Sequence, residues 1–124
     1  MVLRAALEQT NPVTIFGTDY DTPDGTCISD HIHVTDLADA HILAMEQILT
    51  EDRSVTYNLG NGIGISVREI IRAAETVTGH PIHVVIGERR TGDPPVLVGD
   101  GQRAIHEMGW RPQMSDLQTI LSSA

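Results

Sequence analysis

The stretch from Asp36 to Leu49 limits what this chain can fold into more than any other. Leu37, Ala40, Leu43, Ala44 and Ile48 recur at helical spacing, with Thr35 placed to cap the start. Ala38, Ile42, Met45 and Leu49 make much of the remaining circumference apolar too. A helix of that kind has to be covered on more than one side. The sequence has 124 residues, enough for one domain with a modest core. The expectation is therefore a helix that needs a partner surface from outside the chain.

Other helices are marked by their ends. Ser66-Val67-Arg68-Glu69 is a capping box, with Ile65 and Ile70 at the staple positions. Val67, Ile70, Ile71, Ala74 and Val77 follow at helical spacing, and Gly79 and Pro81 stop the helix. Shorter helices are predicted at Gln102–Met108 and at Asp116–Leu121, the second opening with a Ser115-to-Gln118 capping box. Val2–Glu8 reads as the tail of a helix that begins upstream. Predicted strands are Val13–Phe16, Ile28–Val34, Val55–Leu59, Ile82–Ile86 and Val96–Val98, all short and rich in β-branched residues. Helices alternating with strands indicate an α/β fold with some parallel pairing, in one undivided segment over residues 1–124.

Composition excludes several classes of function. The net charge is −9, and every basic residue is arginine, because the chain has no lysine. A nucleic-acid partner needs a basic footprint that is missing here, and an anionic membrane surface is equally disfavoured. Two or three arginines can still make a local phosphate site. No run approaches the ~20 apolar residues of a membrane span, and the apolar start, Met1–Leu7, is broken by Glu8 and Gln9. The single Cys27 forms no internal disulfide, which fits a reducing compartment. The expectation is a soluble, cytoplasmic protein with an aliphatic core, since aromatic residues are only 3%.

Three places could carry chemistry. Gly60-Asn61-Gly62-Ile63-Gly64 lies between a predicted strand and a helix, the context of a phosphate-binding turn. Its spacing is not the dinucleotide fingerprint, and no acidic residue follows about 20 positions on, so a plain turn needing positive φ accounts for it. His31 and His33 share a face of a predicted strand and could bind a metal with Asp30 or Asp36. A histidine pair without a fixed third ligand is not a site, and none is assigned. Glu88 to Pro95 holds Arg89, Arg90, Gly92 and Asp93. Arginine forks suit a diphosphate; the alternative is an exposed loop closed by Asp93 pairing with an arginine. No nucleophile has a base beside it in sequence, so no catalytic residue is assigned.

In order, Thr14-Ile15-Phe16-Gly17-Thr18-Asp19-Tyr20, Thr22-Pro23-Asp24-Gly25-Thr26, Ile32-His33-Val34-Thr35-Asp36-Leu37-Ala38-Asp39-Ala40-His41, Tyr57-Asn58-Leu59-Gly60, Arg89-Arg90-Thr91-Gly92-Asp93-Pro94 and Glu107-Met108-Gly109-Trp110-Arg111-Pro112 occur along the chain. Together they resemble the UDP-glucose 4-epimerases of the extended short-chain dehydrogenase/reductase superfamily, specifically their C-terminal segment. The resemblance implies that Phe16 packs on uracil. It implies that Arg90 and Asp93 meet the diphosphate and the ribose or sugar hydroxyls. It also assigns the Asp36–Leu49 helix and the Tyr57–Leu59 strand mainly to the NAD-binding half.

The resemblance has two departures. Where the family has an arginine and a tyrosine flanking an aspartate, this chain has Ser29 and His31. That arginine grips the diphosphate in the family, so Ser29 implies a weaker hold on a UDP-sugar. The family's glycine-rich NAD turn and its tyrosine–lysine pair are also missing from these residues. The full enzyme passes a hydride from the sugar C4 to NAD and returns it to the other face, with the tyrosine as base. The expectation is a truncated, catalytically silent substrate-side segment without a cofactor of its own. The alternative is a non-enzymatic binding or oligomerising module, self-associating through helix 36–49 and strand 55–59.

Overall fold

The computed structural model describes residues 2–8, 12–51 and 54–124. Met1 and Gln9, named in the N-terminal reading, lie outside them. In chain order the elements are α1 (Val2–Glu8), β1 (Val13–Phe16), β2 (Ile28–Ser29), α2 (Val34–Glu51), β3 (Ile65–Ser66), α3 (Val67–Thr78), β4 (Val84–Gly87), β5 (Val96–Leu97), α4 (Gln102–Met108) and α5 (Leu117–Ser122). The fold is α/β, with helices and short strands in alternation. β1 pairs in parallel with β4, from Val13 opposite Val84 to Phe16 opposite Gly87. β2 lies between β3, antiparallel, and β5, parallel.

Two small cores result. In the first, α3 turns Ile71 and Ala74 inward onto Val13, Ile15 and Ile82, while α1 adds Ala6 and α5 adds Leu121. The capping box of α3 is present: Ser66 Oγ accepts from the Glu69 N–H, and the Ser66 N–H donates to the Glu69 carboxylate. Gly79 closes the helix at φ 70°, a left-handed turn that glycine adopts without strain. The second core is built on Trp110, which is fully buried against Ala40 and Ala104. Small residues at these two positions let α2 and α4 approach the indole. Its N–H is satisfied by the Asp36 carbonyl at 2.8 Å.

Several expected elements differ. The strand expected at Ile28–Val34 ends at Ser29, because Asp30 turns its carboxylate to the Gly99 N–H and α2 begins at Val34. Thr35 does not cap α2. The Thr35 N–H donates instead to His33 Nδ1, and the Leu37 N–H to the His33 carbonyl. Residues 55–59 form no strand. Tyr57 and Leu59 pack on the Trp110 core, and the Thr56 carbonyl accepts from Arg103, so side-chain contacts take the place of a ladder. β4 starts two residues later than expected, because the Ile82 N–H is drawn to the Glu75 carboxylate. The second capping box is replaced by a single cap in which Asp116 accepts from the Thr119 N–H; Ser115 bonds elsewhere. No described helix is long and apolar enough to cross a membrane.

Candidate functional site

The β1–β4 pairing and the turn after β4 assemble the polar cluster. Phe16 ends β1 and is 39% exposed. The Arg90 guanidinium sits over the Phe16 ring, 4.9 Å from its centroid. Arg90 also donates to the Asp93 carboxylate, with Nε and Nη2 both 2.8 Å from Oδ2. The structure therefore brings Phe16 to the Arg90–Asp93 pair, although Phe16 is far from both in sequence. The Arg90–Asp93 pair is also the loop-closing contact that the sequence offered as the alternative. Gly92 makes the turn possible at φ 92° and faces open space.

Beside this cluster is a second arginine–aromatic stack that sequence reasoning missed. Arg89 lies over the buried Tyr20 ring, 4.2 Å from its centroid, and donates to the Asp19 carboxylate at 2.7 Å and to the Asp19 carbonyl. The guanidinium holds the Asp19 carboxyl below its ordinary pKa, and Arg89 is raised in return. Gly17 leaves the room for this stack: a Cβ there would stand 2.6 Å from Arg89 Cγ and 2.7 Å from Tyr20 Cε2. A glycine directly after a strand, followed by an aspartate and a tyrosine, is the signal that could have found it. Burial, with the Cys27 thiol nearby, pushes the Tyr20 phenol up. Arg89 is thus committed to holding the loop, and Arg90 is the more exposed cation.

Ser29 makes no hydrogen bond to that cluster. Its hydroxyl is 3.4 Å from His31 Nε2. β2 is tied to the Arg90–Asp93 turn through the backbone, where the Ile28 N–H donates to the Pro95 carbonyl at 2.9 Å. The two histidines do not share a strand face. His33 is buried, accepting from the Thr35 N–H at Nδ1, so its Nε2 hydrogen points to Ser123 Oγ at 2.8 Å. Asp36, the other possible ligand, is enclosed by the Gln113 and Met114 N–H groups and the Ser115 hydroxyl. Among the described residues, no three histidine, cysteine or acidic side chains are grouped as metal ligands would be.

The glycines at 60–64 do not build a dinucleotide cradle. A Cβ on Gly60 would lie 2.3 Å from the Gly99 carbonyl oxygen, so that glycine serves close backbone packing. The N-terminus of α3 is also spent: the Val67 N–H goes to the Cys27 carbonyl and the Glu69 N–H to the Ser66 cap. Asn61 ties its amide to the His31 and Ser115 carbonyls. An open concavity between Asp30, Leu59, Val98, Gly99 and Asp100 is acidic, which disfavours phosphate.

A model of the NAD dependent epimerase/dehydratase family matches residues 1–60. The UDP-glucose 4-epimerase of Halalkalibacterium halodurans is 48% identical over the whole chain, which covers 37% of that relative. The enzyme of the same name from Azospirillum brasilense is 48% identical over 98% of the chain and 35% of its own length. The crystal structure of UDP-glucose 4-epimerase from Brucella ovis in complex with NAD superposes with a TM-score of 0.91 at 43% identity, over 99% of this chain and 38% of that one. The Bifidobacterium longum enzyme, solved with NAD+ and UDP, gives 0.89 at 40%, over 98% and 36%. The chain thus spans little more than a third of the length of these relatives.

Proposed function

From a chain related along its whole length to the UDP-glucose 4-epimerases, and spanning little more than a third of theirs, we propose that these 124 residues are the C-terminal, substrate-side segment of such an enzyme. Their task is to hold the UDP part of a UDP-sugar. Phe16 offers its ring to the base, Arg90 supplies paired donors to the diphosphate, and Asp93 accepts from a ribose or sugar hydroxyl. The observation that carries this reading is the meeting of these three side chains on one exposed patch. UDP in the complex of the Bifidobacterium longum relative supports it.

The chemistry itself needs groups from outside these residues. With no lysine in the sequence, no tyrosine–lysine pair can form here. The glycine turn does not fit NAD, so no hydride step is assigned to this chain. Interconversion of UDP-glucose and UDP-galactose belongs to the whole enzyme of this family. In this reading the chain serves it by positioning substrate, and the NAD-binding Rossmann half lies elsewhere.

A UDP titration of the 15N-labelled chain tests the assignment. The amides of Phe16, Arg90 and Asp93 should shift together and saturate. Shifts confined to other residues would sink it. Ser29→Arg should tighten UDP by on the order of ten- to a hundredfold, since a hydrogen bond to a charged group contributes about 1.5–3 kcal/mol. An unchanged affinity would remove Ser29 from the pocket.

A self-associating module is the second reading. It is favoured by the apolar side chains that α2 leaves in the open: Val34, Ile42, Met45, Ile48 and Leu49 are all more than half exposed.

A further inference from the structure

Arg90 has two roles that cannot be filled at once, and the conflict bears on how the site selects its ligand. A nucleobase stacking on Phe16 needs the face of that ring. In the structure the Arg90 guanidinium lies on it, at 4.9 Å from the centroid, with the Asp93 carboxylate holding it there through two nitrogens. On β4 the residue opposite Phe16 is Gly87, where an added Cβ would stand in ordinary contact with Phe16 Cδ1 at 3.5 Å. Neither the ring nor the turn that carries Arg90 is buried: the Arg90 side chain is 63% exposed, and Gly92 has open space beside it. An ion pair as exposed as this contributes little, so the guanidinium leaves the ring at small cost. A diphosphate outbids a single carboxylate for it, because it carries more charge and offers paired oxygens to the planar fork.

We propose that Arg90 is a self-stacked cover on Phe16, and that the diphosphate of the ligand opens the base subsite by drawing the guanidinium off the ring. The inference rests on the UDP-binding reading above. It adds selection by coupling: a nucleoside lacking phosphate must displace the cover unaided, whereas a nucleoside diphosphate removes it with its own charge.

The test compares uridine, UDP and inorganic pyrophosphate by NMR titration of the chain and of Arg90→Ala. Losing an exposed cation–π contact corresponds to roughly a two- to fivefold change. Arg90→Ala should therefore bind uridine about two- to fivefold more tightly, while its affinity for UDP falls by on the order of ten- to a hundredfold. Saturating pyrophosphate should tighten uridine on the unaltered chain by a similar two- to fivefold, and leave uridine binding to Arg90→Ala unchanged. The pyrophosphate arm needs no substitution, so it stands whatever the variant does to folding. If Arg90→Ala weakens uridine along with UDP, Arg90 supports the ring and the cover is overturned while the UDP site survives. If pyrophosphate leaves uridine binding to the unaltered chain unchanged or weaker, the coupling is overturned. If the unaltered chain binds neither UDP nor uridine, the reading beneath the proposal falls with it.

Discussion

Asp36 is only 2% exposed, yet its carboxylate is well provided for. Burial by itself raises its pKa, but hydrogen bonds from the Ser115 hydroxyl and the Gln113 and Met114 N–H groups, with His33 nearby, bring it below the ordinary value. A lowered folded pKa means that stability from this group is in place above the unfolded value of about 3.9 and is lost as pH falls through the still lower folded one. Asp36→Asn turns an amide toward at least one N–H donor and should cost roughly 3 kcal/mol in urea unfolding at neutral pH. It should also flatten the loss of stability below about pH 4. An unaltered acid limb would mean that another carboxylate governs it. Nothing near Asp36 in sequence signals this role, because its donors come from the segment after Trp110. Phe16 was legible only as a match to a family motif, whereas the loop of Arg90 and Asp93 stood out by its residue types; the meeting of Phe16 with that loop depends on a strand pairing that the local sequence does not show.

Among the elements, α3 was the most legible because its ends are written locally: a serine and a glutamate three apart, then a glycine. What the sequence hid is that the cap has a second partner. Ser66 Oγ donates to Asp24 at 2.5 Å, while Asp24 also accepts from the Thr26 N–H and hydroxyl, so one carboxylate ties the 20–26 loop to the helix. Burial raises the Asp24 pKa and those bonds more than offset it, leaving it lowered. Ser66→Ala should cost about 1–2 kcal/mol, at the upper end for a cap. With Asp24→Ala in a double-mutant cycle, the coupling should be about 1 kcal/mol; a coupling near zero would show the loop and the helix to be independent. The strands were the least legible. Two-residue pairings such as Ile28–Ser29 with Val96–Leu97 are fixed by tertiary contacts and carry no periodicity to read. The expected strand at 55–59 failed for the same reason in reverse, since Tyr57 spends its hydroxyl on Gln47 and Glu107.

For the molecule as a whole, the apolar side chains along α2 and the charge of −9 pull in opposite directions. Exposed apolar patches beyond a few hundred Å² mark interfaces or aggregation. The chain should therefore sediment as a dimer or larger at moderate ionic strength. Ile48→Glu with Leu49→Glu should shift it toward monomer without unfolding it, because both side chains are already in the open. A monomer before substitution would count against this. The purified chain should also neither turn over UDP-galactose nor retain NAD through gel filtration; either activity would contradict the division of labour proposed above. The pairing of Val13 with Val84, and of Ile28 with Val96, has a consequence for synthesis. β1 finds its mate only when Val84 has been made, and β2, which can pair first with Ile65–Ser66, gains its parallel neighbour only at Val96, so strand edges stay open while the ribosome works. Large loop closures slow folding and lengthen the time in which bare edges meet one another. The yield of native protein should consequently depend on translation speed and on chaperone supply more than its modest size suggests.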